Sequence, residues 1–358
     1  MITNDKSKQS AINNPYTTLF GKEPTNSISR AAQMNIVLDS FMSDPASQMI
    51  YMITGVRGCG KTVFLTEIAS EFKQDDDWII VDLNSSQNLL QELAANLASR
   101  DKLAKLFRNA SINLSFFGIG VNIEGVTPIT SLQVAITQML ESLKKHKKKV
   151  LICIDEVYSN EYMRAFASAY QIFVRQNLPI YLLMTGLYEN INNLQNEKNL
   201  TFLYRAPRIA LKPLNITTIS ENYKNTFGIP EAESLKMAKL TKGYSFAFQV
   251  LGYFTWRQNG DYTAAYTDYR QYLEDYVYEK MWSELSEGDK KFLYAVAATK
   301  SGKASDIKNI LSIENNKYTP YRDRLIKRGI LDGSEHGILR FTLPLFDEYI
   351  LRMYEFTD

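Results

Sequence analysis

The sequence predicts an α/β fold, a parallel sheet core followed by an all-helical region and a small C-terminal domain, and three observations predict it. Residues 49–71, MIYMITGVRGCGKTVFLTEIASE, form an apolar strand that breaks into a glycine-rich turn and restarts as an amphipathic helix. Residues 150–156, VLICIDE, are five apolar residues ending in two acids, the pattern of a buried parallel strand with a polar tip. Beyond Leu214 the strand signals stop, and helical periodicity continues to about Lys280.

The glycine-rich turn carries the first chemistry. Gly55, Val56, Arg57, Gly58, Cys59, Gly60, Lys61 and Thr62 fit the P-loop pattern without a mismatch. Glycines let the backbone curl so that successive N–H groups face a phosphate, and the helix starting near Lys61 adds its positive dipole end. Lys61 is placed to reach the β- and γ-phosphates, the Thr62 hydroxyl to ligate Mg²⁺, and Val63 completes the cradle; ATP and Mg²⁺ are the expected cofactors. The bland alternative is a structural glycine-rich turn, against which stand the strand before it and the helix after it. Asp155 and Glu156, at the end of the second apolar run, have the Walker B form: Asp155 in the metal shell, Glu156 polarising the attacking water. Both motifs fall at carboxyl ends of parallel strands, where open α/β sheets bind ligands.

At 358 residues the chain is long enough for two or three domains, and 45% hydrophobic with 22% charged residues is the composition of a globular protein. The formal net charge of +2 demands no polyanionic partner, so any nucleic-acid surface must be a local patch. No apolar run reaches spanning length and the polar N-terminus lacks a signal-peptide core, so no membrane contact and a cytoplasmic location are expected. Cys59 and Cys153 lie in different motifs and read as reduced thiols, and with only two histidines no thiolate–imidazole metal site can be assembled.

Taken in order, residues 1–30 are a polar approach to a helix near 31–42. Residues 78–83 read as a buried strand, residues 87–107 as helix, and the alternating stretch 112–126, INLSFFGIGVNIEGV, as an inserted β-hairpin. A helix over 131–143 ends in the basic run at 144–149, best read as a solvated, dipole-favourable helix end rather than a nucleic-acid patch. Residues 161–176 are helical, and residues 179–184 form another buried strand ending in Thr185 and Gly186. Thr185 is placed either to orient the lytic water and feel the γ-phosphate or merely to close a strand-end turn. Arg205 and Arg208 open a last short strand; each is a surface ion-pair former or a group that neutralises charge on a neighbouring subunit's nucleotide. The core is therefore bounded at 1–213.

Residues 214–282 read as a helical lid, with a tyrosine stripe over 262–278 whose three- and four-residue spacing favours packing over base stacking. Residues 283–358 predict three helices and a hairpin, a winged helix whose third helix would meet the DNA major groove. Arg322, Arg324, Lys327 and Arg328 on that helix, with Arg340 near the wing, are the candidate contacts to double-stranded DNA. From Lys280 onward there are 13 basic and 12 acidic residues, so the field of the domain is weak and a protein-contact role stands beside DNA binding.

These motifs together resemble the initiator-type (origin-recognition-like) and STAND-related branch of the AAA+ P-loop ATPases. The resemblance runs from Asn14-Pro15-Tyr16 through GVRGCGKT, LICIDEV, MTG, FLYRAPRIALKPL and TKGYSFAFQ to the winged-helix pattern. It implies a sensor role for Thr185, a trans-acting finger for Arg205 with Arg208 as second choice, and ATP-dependent homo-oligomer assembly. It implies two functions: a nucleotide-controlled DNA-binding ATPase, or a signalling switch whose lid and winged helix bind protein partners. The family's lid usually offers an arginine three residues after a glycine; here Gly243-Tyr244-Ser245-Phe246 has none, which implies a slow switch.

Overall fold

In the computed structural model, the residues described are 14–19, 24–119, 123–198 and 200–355. They divide into two compact units, Arg30–Thr54 with Lys61–Ala210, and Gly55–Gly60 with Leu211–Asp358 and the N-terminal segment.

The first unit is α/β. Its sheet is parallel throughout, with strands β1 Ile50–Thr54, β2 Trp78–Asn84, β3 Lys149–Asp155, β4 Ile180–Gly186 and β5 Arg208–Ala210 in the order β2-β3-β4-β1-β5. The central strands are unbroken apolar runs because helices cover both faces: β4 is buried at every residue. The helices of the unit are α1 Ala31–Met42, α2 Lys61–Lys73, α3 Leu89–Ala98, α4 Asp101–Asn109, α5 Leu132–Lys145, α6 Glu161–Arg175 and α7 Tyr188–Gln195. Side-chain caps set several of the starts, with Asn88, Ser131 and Asn160 each accepting from a backbone N–H three residues on. Leu93, Leu97, Met139, Leu140, Phe166 and Phe173 bring the buried stripes of α3, α5 and α6 onto one continuous core.

The hairpin expected over residues 112–126 is not formed by the described residues there. They make a single 3₁₀ turn, Ser115–Phe117, with no strand; residues 120–122 lie outside the described residues. The buried Asn113 explains the difference. Its side-chain amide donates to the carbonyls of Ile123 and Val126, at 3.2 and 2.7 Å, and so closes the stretch as a loop. Ile112, Leu114 and Ile119 are buried in the core of the unit, so the apolar alternation is spent on packing rather than on a ladder. The basic run behaves as a helix end: α5 stops at Lys145, the Lys144 ammonium donates to the Asn177 carbonyl, and Lys148 pairs with Asp77 at 2.8 Å.

Among the described residues, the second unit is helical apart from one small ribbon and an isolated bridge between Lys303 and Ile338. It contains α8 Ile216–Phe227, α9 Glu231–Leu240, α10 Ser245–Arg257 and α11 Tyr266–Leu273, then a π-helical segment Glu274–Tyr278 that runs into α12 Glu279–Ser283. Of the tyrosine stripe, Tyr269 and Tyr278 are fully buried and Tyr276 is exposed, so the stripe is chiefly a packing face. Tyr16 reaches this core from the N-terminal segment, seated among Tyr223, Phe227 and Phe248 and donating its hydroxyl to Asn222. Next come α13 Glu287–Ala298, α14 Ala304–Leu311 and α15 Asn315–Lys327. A two-stranded antiparallel ribbon, β6 Leu331–Asp332 and β7 Arg340–Phe341, is followed by α16 Phe346–Glu355, a helix not anticipated from the sequence. Among the described residues, no helix is long and apolar enough to cross a membrane.

Candidate functional site

The parallel register places the chemistry at one edge of the sheet. Ile154 pairs with Met184 and Ile53 with Thr185, so β1, β3 and β4 end level, and Asp155 and Thr185 emerge side by side. Lys61 and Thr62 open α2, the helix that follows the glycine-rich loop, and Lys61 is buried.

A hydrogen-bond network organises these ends. The Thr62 hydroxyl donates to Asp155 Oδ2 at 2.7 Å, and the Thr185 hydroxyl donates to Asp155 Oδ1. The Glu156 amide is shared between Asp155 Oδ1 at 3.1 Å and Thr185 Oγ1 at 3.2 Å. The Val157 amide donates to the Thr185 carbonyl at 2.8 Å, and the Ser85 hydroxyl to the Glu156 carbonyl at 3.3 Å. These bonds hold Glu156 at φ 52°, a left-handed conformation that costs a non-glycine residue about 1–2 kcal/mol. Its side chain is thereby exposed at the mouth of the site while Asp155 is half-buried. Thr185, wholly buried, spends its hydroxyl on both acids: it donates to one and accepts from the backbone of the other.

Thr62 and Asp155 are hard oxygen donors at hydrogen-bond distance, a pair that suits Mg²⁺. Among the described residues there is no group of three His, Cys, Asp or Glu able to hold a metal. Mg²⁺ needs no such group, because it is bound through one or two carboxylates, water and the substrate phosphates. The donor set therefore fits a metal that arrives with a nucleotide.

In the other unit, the loop Gly55–Gly60 has Gly58 at φ 74° and Gly60 at φ 92°, the left-handed turns that the pattern requires of glycine. A Cβ on Gly58 would also collide with the hydroxyl and ring of Tyr244, a close approach with no local mark in the chain. Arg57 pairs with Glu284 at 3.3 Å.

The two arginines near β5 are separated by their surroundings. Arg208 lies over the Tyr188 ring at 5.4 Å, whereas Arg205 is exposed at the end of the 3₁₀ turn Thr201–Arg205. The candidate DNA contacts are mostly tied within the chain. Arg322 pairs with Asp323 at 2.7 Å, Arg340 with Glu335 at 3.1 Å, and both Arg324 and Arg328 reach the buried Asp289, at 2.5 and 3.7 Å. Lys327 is exposed. Sequence reasoning missed Ser85 and Asn160, which back the acid pair through Asn160 Nδ2 donating to the Ser85 carbonyl at 2.7 Å. The only sequence signal for them is the polar Asn84-Ser85-Ser86 that bounds the apolar run 78–83.

A five-stranded parallel sheet, a glycine-rich loop with Lys-Thr after the first strand and an acid pair at the tip of β3 are the features of a P-loop nucleotide-binding fold. Residues 30–203 match the family described as an ATPase domain predominantly from Archaea, and residues 275–350 match a domain of unknown function. Among solved structures, the Walker-type ATPase of Pyrococcus abyssi is similar at 18% identity and a TM-score of 0.66, over 91% of this chain and 96% of that one. Cdc6p of Pyrobaculum aerophilum is similar at 14% identity and a TM-score of 0.46, over 90% and 93%. A STAND protein of Pyrococcus horikoshii with a tetratricopeptide repeat sensor aligns at 14% identity and a TM-score of 0.43, over 95% of this chain and 43% of its own. A search of the curated proteins finds no match.

Proposed function

We propose that this chain binds ATP with Mg²⁺, hydrolyses it slowly, and uses the nucleotide state as a switch that sets the contacts of its C-terminal region with a protein partner. The observation that carries the ATPase part is the network joining Thr62, Asp155, Thr185 and Glu156. In this reading Lys61 neutralises the β- and γ-phosphates, Thr62 and Asp155 hold Mg²⁺, and Glu156 polarises the attacking water. The metal supplies charge neutralisation on the transferred phosphoryl group. Arg205, exposed and clear of the stacking that engages Arg208, is the group that reaches a neighbouring subunit's nucleotide in an ATP-dependent homo-oligomer.

Three helices followed by a two-stranded ribbon support a winged helix over residues 283–358. Basic side chains locked in intramolecular pairs favour protein contact, and four of the five candidate DNA contacts, Arg322, Arg324, Arg328 and Arg340, are paired in this way. DNA binding is kept as the second reading on one observation: Arg322 and Arg340 are in surface pairs, worth only about 0–1 kcal/mol, which a phosphate can displace.

Two measurements test this. Lys61→Ala should abolish ATP binding, while Glu156→Gln should keep binding and stop turnover; a Glu156→Gln protein hydrolysing at the wild-type rate refutes the site assignment. Fluorescence anisotropy with labelled duplex DNA at low salt and with ATP should show no binding. Binding whose affinity falls roughly as the fourth power of salt concentration would instead favour the DNA reading, since each neutralised phosphate contributes a slope near −0.9.

A further inference from the structure

The carbonyl face of the phosphate loop is engaged along three successive residues. Tyr244 Oη donates to the Arg57 carbonyl at 2.7 Å, the Phe246 amide to the Gly58 carbonyl at 3.1 Å, and Ser245 Oγ to the Cys59 carbonyl at 3.0 Å. The donors are consecutive and open α10, whose first-turn N–H groups have no partner within the helix. The Phe246 amide finds its acceptor in the loop. The segment is itself fixed from behind: Gly243 sits at φ 75°, and its carbonyl accepts from the Leu214 amide at 2.7 Å. Tyr244 is buried, and burial pushes its phenol well up, so it stays a donor across the working pH range.

Peptide planarity turns these bonds into a statement about the other face. In a trans peptide the C=O and the following N–H point in opposite directions. Fixing the carbonyls of Arg57 and Cys59 therefore fixes the amides of Gly58 and Gly60 opposite to them, on the side a phosphate takes in a P-loop. The Cys59 amide is drawn to the Val56 carbonyl at 3.3 Å, a turn that closes the loop on itself. Glycine at 58 is needed for this arrangement twice, by its positive φ and by the approach of Tyr244. On the far side of the segment, the Phe246 ring lies 6.1 Å from that of Tyr272, which stacks at 4.2 Å on Tyr276 in the π-helical segment, a residue 62% exposed.

We propose that Tyr244-Ser245-Phe246 is the nucleotide sensor of this chain, a clamp that holds the carbonyl face of the phosphate loop, preorganises its amide face for a nucleoside triphosphate, and passes occupancy of the loop into α10. It takes the place of the arginine absent from this segment and acts on the loop's backbone rather than on the phosphate. The three are positioning residues, and the inference rests on the ATP reading above. Coupling is reciprocal: a clamp that favours triphosphate binding is tightened by it to the same degree.

The test is a titration of the full chain with a fluorescent ATP analogue and Mg²⁺, alongside hydrogen exchange of the peptide spanning 243–250 with and without ATP. A neutral hydrogen bond shifts an equilibrium by roughly two- to twelvefold, so Tyr244→Phe and Ser245→Ala should each weaken binding by about that factor. ATP should slow exchange in 243–250 of the wild type and do so less in either variant. A purely structural role would lower the melting temperature of the nucleotide-free protein and leave affinity and ATP-induced protection unchanged. Wild-type binding that is lost in Lys61→Ala but equal in Tyr244→Phe and Ser245→Ala overturns the clamp alone. Absence of binding by the wild type overturns the ATP reading, and the clamp falls with it. Ser245→Ala keeps the outcome decisive if Tyr244→Phe does not fold.

Discussion

Replacing Thr185 by valine removes one hydroxyl from the wholly buried tip of β4 and leaves its volume nearly unchanged. That hydroxyl donates to a carboxylate, and a hydrogen bond to a charged group is worth about 1.5–3 kcal/mol net. The Glu156 amide loses one of two acceptors and keeps Asp155 Oδ1 at 3.1 Å, so its loss adds little. The added methyl returns up to about 0.8 kcal/mol of apolar burial, leaving a net destabilisation of about 1–2 kcal/mol. Turnover should fall further than stability, because the same hydroxyl holds Glu156 in its left-handed turn. General-base catalysis is worth about 10²–10⁴-fold, and a misaimed carboxylate should forfeit on the order of tenfold or more of it. Urea unfolding followed by far-UV circular dichroism gives the first quantity and steady-state phosphate release the second, with Thr185→Ser expected to recover most of both. A Thr185→Val protein that unfolds at the wild-type urea concentration and turns over at the wild-type rate would refute the role given to Thr185.

Because Glu156 sits at φ 52°, Glu156→Gly should be more stable than Glu156→Ala by about 1 kcal/mol, the reverse of the usual alanine preference; thermal unfolding of the two variants decides it. Gly252→Ala places a methyl 2.5–2.6 Å from the ring of the buried Tyr16, and overpacking of about 1–3 kcal/mol should exceed the helix-propensity gain of about 1 kcal/mol, lowering the melting temperature. Arg205→Ala should lower turnover at least tenfold without weakening ATP binding, and wild-type turnover per subunit should rise with protein concentration. Turnover per subunit that stays constant across a wide dilution series excludes action in trans for a dissociable assembly.

What the sequence determined by itself was the chemistry written in short contiguous patterns. Gly55–Thr62 and the apolar run ending in Asp155 and Glu156 were legible because a phosphate loop and a buried strand impose their residue types over fewer than ten positions. The parallel sheet followed from the same runs, since strands covered on both faces lose the polar alternation that a half-exposed strand keeps. The tertiary structure decided what depends on partners distant in the chain. Stretch 112–126 alternates as a strand should, yet Asn113 bonding to Ile123 and Val126 takes it as a loop. The basic residues of α15 follow one another in the sequence, but only the fold shows that Asp289 on α13 holds Arg324 and Arg328. Thr185 is an ordinary strand-end residue in sequence, and only the level ending of β3 and β4 puts its hydroxyl against Asp155. Tyr244, some 190 positions from the phosphate loop, carries no local mark of its bond to the Arg57 carbonyl, because a side chain's acceptor is chosen by packing and not by its neighbours in the chain.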